Sequence, residues 1–227
     1  MRVHWLQHAD FEDLGVIGPW LARRGHAVRG SRLYAGEPPP LLDDFDALVV
    51  MGGPMNIYEH DAHPWLPAEK RLIGAAAAAG RRVLGVCLGA QLLADALGGP
   101  VRRNAHSEIG WFEVQLTPAG RQSPLLAGLP ERFTAFHWHG DTYALPPGAE
   151  RLAGSEACAQ QAFACGPKLL GLQFHLEVTP ANAVEWFRHE RPAPAAYVQA
   201  PEHILAQPAL FEQNNRLMEQ VLERFLA

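Results

Sequence analysis

Arg82-Val83-Leu84-Gly85-Val86-Cys87-Leu88-Gly89-Ala90-Gln91 is the stretch that decides the fold. Its apolar lead reads as a short buried strand. The residues from Ala90 to Leu97 carry a helical apolar spacing that stops at Gly98-Gly99. Between strand and helix stands a cysteine with glycine two residues to either side. Glycine lets a chain turn sharply and lets neighbouring backbone come close, so the segment has the build of a nucleophile elbow with its side chain exposed at the turn. The helix start adds unpaired N–H groups and a partial positive charge, a setting that suits the reactive thiolate form of cysteine.

Strand followed by helix recurs upstream. The spacing predicts strands over 3–7, 27–30, 47–51 and 82–86, and helices over 11–24, 67–79 and 90–97. Alternation of this kind builds right-handed crossovers on a parallel sheet. Sites in such sheets lie beyond the carboxyl ends of the strands, where Gly53 and Cys87 both fall. Downstream, strand-like runs at 111–117, 132–137, 152–155, 160–164 and 169–174 are separated by turns such as Pro146-Pro147-Gly148, which predicts an antiparallel portion. The fold class expected is α/β: a flavodoxin-like open sheet, mostly parallel, with helices on both faces and a smaller antiparallel portion in the second half. Residues 1–190 are expected to form the main domain. Residues 191–227 read as a Pro/Ala-rich connector and a final helix whose apolar Leu217, Val221, Leu222 and Phe225 pack back on that domain.

A cysteine nucleophile needs a base and a group that orients the base. After the run Leu169-Leu170-Gly171-Leu172 comes His175-Leu176-Glu177. Residues two apart in an extended chain point to one side, so the imidazole can sit between carboxylate and thiol. Near the end of the third strand, Gly52-Gly53-Pro54 forms a turn whose backbone N–H can face a ligand.

With Gly52-Gly53-Pro54, the elbow over 85–91, His139-Gly140-Asp141 and His175-Leu176-Glu177, the chain resembles the class I, triad-type glutamine amidotransferases from about residue 40 to residue 180. The stand-alone, GMP-synthase-like branch is the most similar, through the His-Gly-Asp stretch. The resemblance implies Cys87 as nucleophile, His175 as general base and acid, and Glu177 as its orienter. Backbone N–H groups of Gly53 and Leu88 would form the oxyanion hole. Gln91, His139, Gly140 and Asp141 would contact the substrate. The implied activity is hydrolysis of the γ-amide of glutamine through a cysteine thioester, giving glutamate and ammonia. Ammonia implies an acceptor, in some cases a separate synthetase subunit. Two alternatives stand beside it: a γ-glutamyl peptide or conjugate hydrolase with the same triad, and a non-catalytic binding module of the same fold. A general cysteine peptidase fits the His-x-Glu pattern less well.

Bulk properties narrow the classes further. The 227 residues carry a net charge of −5, which argues against nucleic acid as the main partner. Three cysteines, Cys87, Cys158 and Cys165, make no disulfide framework, and the last two fall on opposite faces of a strand-like segment. Met1-Arg2-Val3-His4 leads straight into a strand pattern without a long apolar leader. The apolar run at 72–79 is too short for a membrane span. A reducing cytoplasm is the expected setting. His60, Asp61 and His63 lack a third and fourth ligand partner, so no metal is expected. The sequence has neither a phosphate-binding Gly-x-x-x-x-Gly-Lys-Ser/Thr loop nor a dinucleotide fingerprint, so no cofactor is expected.

Overall fold

The computed structural model describes residues 1–227. In chain order the elements are β1 (Arg2–Gln7), α1 (Ile17–Arg23), β2 (Ala27–Arg32), β3 (Ala47–Val50), α2 (Leu66–Ala78), β4 (Arg82–Val86), α3 (Leu88–Ala96) and β5 (Val101–Leu116). Then follow α4 (Pro118–Gln122), β6 (Arg132–Tyr143), β7 (Glu150–Gly154), β8 (Ala162–Cys165), β9 (Leu169–Leu172), α5 (Pro180–His189), α6 (Pro201–Leu205) and α7 (Pro208–Phe225). One sheet contains all nine strands, in the order β2-β1-β3-β4-β9-β8-β7-β5-β6. The first five strands in that order pair in parallel, and the remaining pairings are antiparallel. No helix is long and apolar enough to cross a membrane.

The alternation of β3 explains why helices cover both faces. Ala47 and Val49 point into one core layer with Ile17, Trp20 and Leu21 of α1 and Leu217, Val221 and Phe225 of α7. Leu48 and Val50 point into the opposite layer with Leu66 and Ile73 of α2 and Leu92 and Leu93 of α3. A third apolar cluster lies at the antiparallel end, where Trp111 and Phe136 meet Trp186, Phe187 and Phe211. Burying one large apolar side chain contributes roughly 1.5–3 kcal/mol, so these layers are the main source of stability.

The α/β class and the open sheet agree with the sequence reading, but the antiparallel part is larger than expected. β5 and β6 run as one long ribbon, with a register shift between Arg103 and Glu108. His139, Gly140 and Asp141 therefore lie within β6 and not in a turn. The helix expected over 11–24 is only α1; residues 8–16 form a loop instead. Gly15 adopts φ +49°, and a Cβ there would collide with the Glu177 carbonyl, while Val16 N–H donates to that same carbonyl at 3.0 Å. This loop is thus clamped against the His175–Glu177 segment. Cys158 lies in irregular chain before β8 and only Cys165 is in a strand; all three cysteines are free. The Pro/Ala-rich connector runs along β5, with Ile109 N–H donating to Tyr197 O and Gln199 N–H to Ile109 O, each at 2.9 Å.

Candidate active site

Cys87 stands between the last residue of β4 and the first of α3, with φ +52° and ψ −107°. Its N–H donates to Leu172 O at 2.7 Å, which ties the elbow to β9. A Cβ on Gly85 would strike the Gly89 carbonyl, and one on Gly89 would strike the Val50 carbonyl. The two glycines thus let α3 press onto β4 and β3, and that close approach forces the strained backbone at the cysteine.

β9 ends just before His175. The His175 N–H donates to Phe136 O at 2.8 Å, fixing the residue across to β6. Its Nδ1 donates to Glu177 Oε1 at 2.7 Å, and the Trp186 ring packs edge-on at 4.9 Å. His175 and Glu177 are each only 2% exposed. Burial opposes a charge on the ring, but Glu177 on one side and Cys87 on the other outweigh it and raise its pKa well above the usual histidine value. With Nδ1 held by Glu177, Nε2 is the nitrogen left to serve the sulfur, and it has no protein partner. The Cys87 thiol instead donates to Trp138 O at 3.5 Å, and Gln173 Nε2 donates to the sulfur at 3.7 Å. At rest His175 Nε2 lies near the sulfur, close enough for Cys87 to raise its pKa, without a hydrogen bond of ordinary geometry. Contacts of this kind are often loose before substrate binds.

Both groups open on one cavity of about 570 Å³. Gly53, Leu88, Gln91, His139, Gly140 and Asp141 also line it, so the sequence-derived site residues converge, with Glu177 behind His175. Leu88 is the first residue of α3, where N–H groups lack helical partners. Neither its N–H nor that of Gly53 takes part in the turn and cap hydrogen bonds. Gln91 Nε2 donates to Asp141 O at 3.3 Å and to Gln173 Oε1 at 3.2 Å, so it also orients the amide that faces the sulfur. His139 is turned inward: Nδ1 meets Asp141 O and Nε2 meets Glu108, both at 3.0 Å. Its backbone, not its ring, is what faces the cavity. Asp141 is 4% exposed, accepts the Tyr58 hydroxyl at 3.0 Å, and lies 3.6 Å from Arg103, which crosses over Gly140.

Glu108, His137 and His139 bring three ligand atoms within 4.8 Å of one another. Glu108 already accepts Ser155 Oγ at 2.6 Å and Gln161 Nε2 at 2.7 Å. Its carboxylate is thus satisfied by protein donors. Burial pushes the His137 pKa down to about 3, so that ring is neutral. His60 instead meets Ile57 O at 3.1 Å.

Three buried residues that sequence reasoning missed surround the site. His8 has Nδ1 2.8 Å from Gly52 O and Nε2 2.8 Å from Glu69 Oε1. Both partners are acceptors, so both nitrogens donate. Burial disfavours the resulting charge, but Glu69 outweighs it and the His8 pKa rises. This buried pair anchors the carbonyl of Gly52 and so sets the peptide that presents the Gly53 N–H. Glu12, in the clamped loop, lines the cavity beside Gly52 and His175. It is 8% exposed and its carboxyl has no hydrogen-bond partner; burial raises its pKa to about 7. No periodicity marks these residues. The one signal is the turn chemistry of Asp10, Asp13 and Gly15, which argues against a helix through Glu12.

Comparisons with known proteins bear on the family and the fold. The sequence model described as Glutamine amidotransferase class-I matches residues 29–190. The chain is 38% identical over 230 residues to the glutamine amidotransferase-like protein YfeJ of Salmonella typhimurium, covering 100% of this chain and 96% of that protein. It is 41% identical over 175 residues to a glutamine-hydrolyzing GMP synthase of Thermomicrobium roseum, covering 72% of this chain but 30% of that enzyme. The crystal structure of a glutamine amidotransferase from Methylobacillus flagellatus is similar at TM-score 0.92 and 31% identity, over 99% of this chain and 94% of that one.

Proposed function

Because the chain belongs to the glutamine amidotransferase class-I family, we propose that it hydrolyses a γ-glutamyl amide, glutamine in the simplest case, with Cys87, His175 and Glu177 as its triad. The observation that carries this reading is the pairing of His175 with Glu177 at 2.7 Å, its Nε2 unpartnered, at the cavity that also contains Cys87. With the Cys87 proton on His175 Nε2, the sulfur of the resulting thiolate attacks the amide carbon. The oxyanion that forms is held by the N–H groups of Gly53 and Leu88; one such donor is worth ~10²–10³ in rate. The imidazolium then gives its proton to the departing nitrogen and the C–N bond breaks, leaving a thioester. Water, losing a proton to His175, attacks the thioester; the C–S bond breaks, glutamate leaves and the thiol is restored. Gln91, Gly140, Asp141 and the His139 backbone hold the α-amino and α-carboxylate groups.

The match covers 30% of one GMP synthase; where an ammonia acceptor exists, a synthetase subunit is the proposed partner. A second reading, hydrolysis of larger γ-glutamyl conjugates, is favoured by the cavity volume. About 570 Å³ is in the range of sites for drug-sized ligands and exceeds the need of one amino acid. The test is glutamate release from glutamine and from γ-glutamyl amides, with Cys87→Ala as control. Release by the parent and none by the variant supports the triad. Turnover by Cys87→Ala at the parent rate rules it out, and no release from any amide, with Cys87 unlabelled by a glutamine-analogue electrophile, favours a binding module.

A further inference from the structure

An amide has two sides, and the cavity has two walls. The acyl side is the wall of Gln91, Gly140, Asp141 and Arg103. The departing nitrogen must lie within reach of His175 Nε2, because that ring protonates it. The wall beside His175 is therefore where a leaving group sits. It is built by Phe11, Glu12, Trp186, His189 and Glu190. Trp186 joins its parts, touching His175 at 4.9 Å and donating Nε1 to Phe11 O at 3.1 Å; Phe11 and His189 stack at 4.0 Å.

Pairing off the ionisable groups on this wall leaves two carboxyls over, Glu12 and Glu190; burial holds the Glu12 pKa at about 7, so it gives up its proton as a cationic ligand arrives. His175 is matched by Glu177, His8 by Glu69, and His189 lies 3.4 Å from Glu185. Glu12 and Glu190 have no salt bridge and no side-chain hydrogen bond within the protein; the two histidines that face Glu12, His175 and His8, are already matched by Glu177 and Glu69, and Glu12 is 8% exposed. A buried carboxyl without a partner is costly unless a ligand completes it. Aromatic faces beside it favour the same kind of ligand, since Trp and Phe attract cations.

We propose that this wall is a leaving-amine subsite, selecting γ-glutamyl conjugates whose amine carries a second, positively charged nitrogen, as in a mono-γ-glutamyl diamine, with Glu12 and Glu190 as its recognition groups. The inference rests on the γ-glutamyl amide reading above and adds the class of conjugate. A leaving amino acid, whose free carboxylate would face the two glutamates, is disfavoured by the same groups.

The experiment compares four substrates: glutamine, γ-glutamyl-1,4-diaminobutane, its neutral isostere γ-glutamyl-n-pentylamide, and γ-glutamylglycine. For the parent, kcat/KM for the diamine conjugate exceeds that for the neutral isostere by about tenfold or more, and γ-glutamylglycine is the poorest of the three conjugates. Glu12→Gln brings the cation-to-neutral ratio close to one. Glu190→Gln, at the exposed end of α5, lowers the ratio without risk to the core. A parent ratio near one, or a ratio that neither variant moves, overturns the subsite while leaving the amidase reading intact. Calorimetry on Cys87→Ala separates the two claims. If the parent cleaves nothing but this variant binds the diamine conjugate about tenfold tighter than the isostere, the subsite stands and the hydrolase reading falls.

Discussion

At the scale of single residues, Cys87 shows how a site stores strain. Its φ of +52° is unfavourable for any side chain with a Cβ, and no other non-glycine residue in the chain has a positive φ. Replacing the cysteine by alanine keeps the Cβ and the strain; replacing it by glycine removes both. We expect Cys87→Gly to be more stable than Cys87→Ala by about 1 kcal/mol, the reverse of the usual order, when urea midpoints are compared. Equal midpoints would show that the elbow is relaxed. The residues with the most obvious chemistry were also the most legible. His175 and Glu177 sit in a local pattern whose spacing sets their relative placement, and the glycines of its elbow mark Cys87. His8, Glu12 and Glu69 were not, because His8 and Glu69 meet across 61 residues and Glu12 is defined by what surrounds it.

Elements make the same point through their boundaries. α2, β4 and α3 fall within two residues of their expected ends, since apolar spacing and flanking glycines mark them. The helix expected at residue 11 begins only at Ile17, because tertiary contact of Gly15 with Glu177 overrides an amphipathic spacing. β6 continues through the Gly140-Asp141 pair, whose turn propensity is overruled by pairing with β5. Packing also decides the sign of one substitution at two glycines. In α3, Gly89→Ala drives a methyl into the Val50 carbonyl and is expected to cost about 2–3 kcal/mol. In α2, Gly74→Ala meets nothing nearer than Ala96 O at 3.9 Å and is expected to stabilise by roughly 0.5–1 kcal/mol. Denaturant unfolding of the two variants tests the pair; a stable Gly89→Ala protein would mean that α3 can withdraw from β3 without penalty.

For the whole molecule, the buried ionisable groups tie stability to pH. Glu12 has a folded pKa of about 7 against the ordinary 4.5, mainly through burial, with Glu177 and Glu190 adding to the rise and His175 and His8 opposing it. The folded protein therefore holds a proton that the unfolded chain has released between those two values. The parent accordingly loses stability as pH rises through that window, by at most about 3 kcal/mol from this group. Glu12→Gln has no such titration, so the variant should gain on the parent between pH 5 and pH 8; a difference that stays constant would refute the burial argument. The order of the sheet has a consequence of another kind. β9 supplies the partner of β4, yet Leu169 follows Val86 by 83 residues. While the chain is being synthesised, the apolar flank of β4 stays open until Leu172 has left the ribosome. An unpaired strand edge of this kind is prone to associate with other chains until its partner arrives.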